Sequence, residues 1–193
     1  MIDLNEINRI VKETMKDLNG SAHSYDHINR VHKIATMIAK DEDTDTEIVE
    51  IGSLLHDIGR TVGEPHAENG VNPARQVLKP FNLPQQRVDK IVRIVRYHDV
   101  EGRDSLETLE EKIVWDADKL DLIGLTGISR AFHHAGTSGI SFNEAVEWCE
   151  KRSKREPFAF FLEKSRKIAI SRYESMRYFA QQLEKELSLN DIE

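Results

Sequence analysis

The chain has 193 residues, 39% of them hydrophobic and 32% charged, enough for one globular domain with a substantial core. Its net charge of −7 argues against a nucleic-acid polymer as the main partner, because a phosphate backbone is bound by a basic surface. A local basic pocket for a small phosphate is compatible with that charge, whereas no apolar run approaches the roughly 20 residues of a membrane span.

The first residues, Met1-Ile2-Asp3-Leu4-Asn5-Glu6, lack the basic-then-apolar pattern of a signal peptide. Apolar residues recur at helical spacing from there on, with no strand alternation. Ile7, Ile10, Val11, Met15 and Leu18 predict a first helix, capped by Asp3 and ended by Asn19-Gly20. A second starts near Ser24 or Asp26 and carries Ile28, Val31, Ile34, Ala35 and Ile38. After the acidic loop Asp41 to Asp45, a third runs from Asp45 or Thr46 through Ile48, Ile51, Leu54 and Leu55 to near Gly59. The loop Thr61 to Pro65 leads into a fourth, about His66 to Leu78, which Pro73 is expected to kink or split.

Pro84 suits the first turn of a fifth helix through Val88, Ile91, Val92 and Val95 to His98. Gly102 to Ser105 reads as a loop. A sixth helix runs from about Leu106 towards Leu122, and a seventh holds Ile128 to His133. Gly136 to Gly139 reads as a turn. Ser141 with Glu144 forms a capping box for a helix through Val146 and Cys149. Cys149 is the single cysteine, so there is no internal disulfide and no cysteine framework for zinc; one reduced thiol fits a cytoplasmic setting. Pro157 is expected to open a long final helix to about Leu187. Its aromatic residues Phe158, Phe160, Phe161, Tyr173, Tyr178 and Phe179 are expected to form core or a homodimer surface rather than a ligand cage. The expectation is one all-α domain of about eight helices.

The most informative stretch is Ile51-Gly52-Ser53-Leu54-Leu55-His56-Asp57-Ile58-Gly59. Its apolar residues place His56 and Asp57 in buried surroundings, where an unpaired charge is costly. Two adjacent ligand-type residues suggest a metal as the partner. His27 lies beside the core stripe of the second helix, and Asp118 lies in the dense acidic run Trp115-Asp116-Ala117-Asp118-Lys119-Leu120-Asp121. His66 and His98 each lie near a predicted helix end. Two imidazoles and two carboxylates make a mixed nitrogen–oxygen site suited to Mn, Fe, Ni, Co or Zn more than to Ca or Mg. Adjacent helical residues point about 100° apart, so one ion reaches both His56 and Asp57 only over the helix end, which Gly59 is expected to leave open.

His27, then His56-Asp57, then Asp118, in that order on an all-α chain, resembles the HD-domain metal-dependent phosphohydrolases. His23-Ser24-Tyr25-Asp26-His27-Ile28-Asn29-Arg30-Val31 resembles the His-Asp-x-x-His-x-x-Arg-Val segment of their small stand-alone branch. Leu54-Leu55-His56-Asp57-Ile58-Gly59-Arg60 resembles its Leu-Leu-His-Asp-Ile-Gly-Lys or -Arg segment. Asp116-Ala117-Asp118-Lys119-Leu120-Asp121, with Gly124, Gly127-Ile128 and Arg130-Ala131-Phe132, resembles its Asp-Ala-Asp-Arg-Leu-Asp…Gly-Ile-Ala-Arg block. The resemblance implies an HD-domain helical bundle over residues 1–193, with a core of about 1–135 and a helical extension of about 141–188. It implies His27, His56, Asp57 and Asp118 as ligands of a divalent metal, and His66 and His98 as holders of a second metal or contacts of a substrate phosphate. Ser24 stands where this branch usually has Asp, which leaves Asp26 as the expected support of His27.

The activity so implied is cleavage of a small phosphate ester by a metal-activated water. The substrate is expected to be a nucleotide, cut at a phosphomonoester or a pyrophosphate bond. Lys119 could stabilise the phosphoryl oxygens, or be a surface lysine near the helix end. Arg30, Arg60 and Arg130 could bind phosphate in bidentate fashion. Asp116 or Asp26 could orient a histidine or accept a proton. Guanine alarmones fit less well, because Ile58-Gly59-Arg60-Thr61 replaces the acidic Glu-Asp pair of that branch, and no Gly-Tyr-Pro motif suggests cyclic dinucleotides. His133-His134 reads as a solvated or capping pair, and His32 as structural. The alternative function is a non-catalytic nucleotide-binding or scaffold protein on the same fold.

Overall fold

The computed structural model describes residues 2–18, 20–99, 101–154, 159–190 and 192. Among them the regular structure is helical, and no helix is long and apolar enough to cross a membrane. Asn19, Pro157 and Phe158 lie outside the described residues. The chain divides into two compact units, Met1–Asp118 and Lys119–Glu193.

In the first unit, α1 (Leu4–Thr14) starts where the Asp3 carboxylate accepts from the amides of Asn5 and Glu6. It stops at Thr14, before Leu18, and Lys16–Leu18 form a 3-10 turn. Next come α2 (Tyr25–Ala39), α3 (Thr46–Leu55), α4 (His66–Asn69), α5 (Val71–Leu78), α6 (Gln85–Tyr97) and α7 (Leu109–Asp121), whose last turn belongs to the second unit. Helix α3 is the centre. It is buried at Ile48, Val49 and from Ile51 to Leu55, and packs on α1, α2 and α6. Ile28, Val31, Ala35 and Ile38 of α2 and Ile91, Ile94 and Val95 of α6 close over it. Each such Ile or Val side chain contributes about 1.5–3 kcal/mol by burial.

Helix α3 ends at Leu55, earlier than its apolar run suggests, and Ile58–Thr61 continue as a 3-10 turn. Gly59 does not leave an open end. A Cβ there would collide with the carbonyl of His66 and the amide of Gly70, so its bare backbone lets α4 press against the end of α3. The segment expected as one fourth helix breaks at Gly70 into α4 and α5. Pro73 falls in the first turn of α5, where its missing N–H disrupts no helical bond. Helix α7 starts at Leu109, after a reciprocal cap. The Glu111 amide donates to Thr108 Oγ1 (3.3 Å), and Glu111 Oε2 accepts from the amide of Thr108 (3.4 Å).

The second unit holds the end of α7 with α8 (Gly124–Ser138), α9 (Phe142–Lys154) and α10 (Glu163–Leu187). Its core includes Ile128, Val146, Cys149, Ala169, Tyr173 and Met176. The expected capping box before α9 is present, with Ser141 Oγ donating to Glu144 Oε2 at 2.6 Å. Gly136 lies inside α8, and Gly139 alone supplies the left-handed stop, at φ 70°. The aromatic set splits: Phe160 and Tyr173 are core, whereas Tyr178 is exposed.

Candidate metal and phosphate site

The first unit gathers five histidines, two aspartates and an arginine at its helix ends. His27 comes from the first turn of α2, and His23 from the turn before it. His56 and Asp57 follow the last turn of α3, and Arg60 the 3-10 turn after it. His66 opens α4, His98 caps α6, and Asp118 lies on α7. Helix ends concentrate here because a terminal residue can leave its helix axis while the apolar stripe behind it stays packed.

Asp57 is the hub, at 1% exposure. Its Oδ1 lies 3.3 Å from His98 Nε2 and 3.4 Å from His66 Nε2. Its Oδ2 accepts from Arg60 Nε at 2.7 Å and lies 3.6 Å from His23 Nδ1 and 3.7 Å from His27 Nε2. Next to it, His27 Nε2 lies 3.3 Å from both Asp118 Oδ1 and His56 Nε2. His56 Nδ1 donates to the Ser53 carbonyl at 2.7 Å, and His98 Nδ1 to the Val95 carbonyl at 2.7 Å. With Nδ1 donating to a carbonyl in both rings, Nε2 is the atom that each turns into the cluster.

Burial pushes the His56 imidazole down to about 3, against the pull of Asp57 and Asp118, so it is neutral at pH 7. Burial alone would raise Asp57, but the contacts of His23 and His98 and the guanidinium charge of Arg60 outweigh it. They hold its carboxyl well below the ordinary range. The outcome is an ionised carboxylate ringed by imidazole nitrogens, next to the neutral ring of His56. A carboxylate and imidazole nitrogens converging within 3.3–3.7 Å make a donor set that a divalent cation takes. Three sets offer ligand atoms within 4.8 Å of one another: His27, His56 and Asp118; His56, Asp57 and His98; His23, His27 and Asp57. The donor set fits a divalent metal.

The cluster thus brings together His27, His56, Asp57, Asp118, Arg60, His66 and His98. It also includes His23, which had no expected role; its signal was its place as the leading histidine of the segment His23 to Val31 that contains His27. Arg30 lies one turn beyond His27 on α2, partly exposed. Asp26 is exposed in the first turn of α2, the position of a dipole-stabilised surface acid rather than a support for buried His27. Asp116 and Lys119 are buried on α7, so Lys119, at 3% exposure, is not a surface lysine. In the second unit Arg130 binds Asp121 Oδ2 at 2.9 Å. His32 holds Ser53 Oγ at 3.1 Å, and His133 and His134 are exposed on α8, as expected.

The HD domain model matches residues 24–123. The protein YpgQ of Bacillus subtilis (strain 168) is 29% identical over 189 residues, covering 90% of this chain and 88% of that one. The crystal structure of YpgQ in complex with ADP superposes with a TM-score of 0.72 at 26% identity, covering 95% of this chain and 97% of that one. A predicted HD superfamily hydrolase from an uncultured Thermotogales bacterium gives a TM-score of 0.73 at 31% identity, covering 95% of this chain and 92% of that one. With a helical fold, a His-Asp centre and a family match across more than half its length, the chain belongs to the HD domain family, that of the HD-superfamily hydrolases.

Proposed function

We propose that the protein is a metal-dependent phosphohydrolase acting on a small phosphate ester, a nucleotide in particular. One observation carries the reading: buried, ionised Asp57 lies 3.3 and 3.4 Å from the Nε2 atoms of His98 and His66, beside the ligand-type set of His27, His56 and Asp118. His27, His56, Asp57 and Asp118 would hold the metal. When bound, a divalent ion supplies the Lewis acidity on which attack of water at phosphorus depends. Arg60, His66 and His98 lie next to these ligands and would take the phosphoryl oxygens. Phosphoryl transfer asks little covalent work of a protein, so placement and charge neutralisation by such groups carry most of the rate. Asp116 and Lys119 flank Asp118 in the sequence and are the remaining candidates for orienting a ligand or neutralising charge. The complex of YpgQ with ADP supports a nucleotide as substrate.

The full chain, loaded in turn with Mn, Fe, Ni, Co or Zn, is to be incubated with nucleoside mono-, di- and triphosphates, and the products separated. Metal-dependent release of phosphate or pyrophosphate is the expected result. Binding of ADP with no cleavage by any metal form would replace the reading with the non-catalytic one.

A further inference from the structure

The imidazoles of the site reach their orientation by two routes. His56 and His98 each follow a helical turn, so a carbonyl three residues back, of Ser53 or Val95, is in place to accept the Nδ1 proton. His66 cannot use that route. It is the first residue of α4, and the carbonyl three residues back, that of Gly63, accepts from Asn69 Nδ2 at 3.0 Å. A side chain fills the gap. Glu64 Oε2 accepts from His66 Nδ1 at 2.8 Å and from the His66 amide at 2.9 Å, and Glu64 Oε1 accepts from Arg60 at 3.3 Å.

We propose that Glu64 is a positioning residue: it holds His66 as the Nδ1–H tautomer and braces Arg60, assembling the rim that receives the substrate phosphate. The far side of the ring agrees. Arg60 Nη2 lies 3.2 Å from His66 Nε2 and can donate there only to a lone pair; the opposite tautomer would set two N–H groups against each other. His66, Arg60 and His23 are also the more accessible members of the cluster, with side chains 12%, 21% and 33% exposed against 2% for His27, Asp57 and His98. A substrate entering from solvent meets this rim first. The hydrogen bond from His66 holds the Glu64 carboxyl below its ordinary value, so it is an ionised acceptor at pH 7. Groups that orient a ligand histidine in this way are worth about 10–100-fold in affinity or activity. An exposed ion pair, by contrast, adds little stability.

The test is nitrogen NMR of the His66 ring in the zinc-loaded full chain, with ADP as binding probe. Wild type is expected to show Nδ1–H. Glu64→Ala is expected to admit the Nε2–H form, to weaken ADP binding about tenfold and to leave Tm unchanged. Glu64→Gln, whose amide oxygen still accepts from Nδ1–H, is expected to restore the tautomer. An unchanged ring signature in Glu64→Ala overturns the proposal, as does unchanged ADP affinity with an altered ring. The phosphate role rests on the phosphohydrolase reading. If wild type neither binds nor cleaves nucleotides, that reading fails, while the spectra still decide what holds His66.

Discussion

Each unit of the chain buries an aspartate, and the two are compensated in opposite ways. Asp121, 1% exposed, is matched by Arg130, whose Nη1 lies 2.9 Å from Oδ2 and also reaches the Asp121 carbonyl. Donor meets acceptor and the pair is closed. Asp57, equally buried, binds Arg60 through Oδ2 but turns Oδ1 towards the Nε2 atoms of His98 and His66. The first arrangement holds structure together. The second gathers ligand-type atoms that could hold a cation, which marks it as a candidate site.

The contrast breaks most visibly at Asp57. Asp57→Ala is expected to abolish stoichiometric metal binding and lower turnover at least about 100-fold with the helical fold retained. Metal content by plasma mass spectrometry and a nucleotide turnover assay check both, and a metal-replete Asp57→Ala would end the comparison. The matched pair should respond in stability instead. Arg130→Ala strands a buried carboxylate and is expected to cost about 3–5 kcal/mol in urea denaturation, whereas replacing Asp121 and Arg130 together by Leu and Met should recover most of that loss.

The smallest effect is on pH dependence. His56 takes up its proton at about 3 when folded and at the ordinary 6.5 when unfolded, so the unfolded chain binds more protons between those values. Its contribution to the stability of the metal-free protein is therefore full above pH 6.5 and is lost as pH falls towards 3, at up to about 1.4 kcal/mol per pH unit. Asp57, also depressed, adds to the loss only below its ordinary 3.8. Urea denaturation at intervals between about pH 7 and pH 4 should show the slope, and His56→Gln should flatten it. An unchanged slope would assign the dependence to another group.

The helices were legible because their apolar stripes are strong: α2, α3 and α6 lie where Ile28, Leu54 and Ile91 recur at helical spacing. Their ends were less so. Helix α3 stops at Leu55 although its apolar run continues, because α4 presses on Gly59, a contact between segments that periodicity does not encode. The proton acceptors of the site were hidden for the same reason. The Ser53 and Val95 carbonyls are backbone, and Glu64 is an exposed acid in a loop with nothing in its neighbours to single it out.

By itself the sequence determined the family and the chemical type of the centre, because residue order and side-chain chemistry are properties of the chain: His27, His56-Asp57 and Asp118 on helical segments, with apolar residues that bury them. Tertiary structure decided which groups meet and in what protonation state. It brought His23 to Asp57, buried Lys119, left Asp26 in solvent and closed Arg130 on Asp121. Burial and distance set whether a carboxylate is closed by a guanidinium or left among imidazole nitrogens, and both are fixed only when the helices pack.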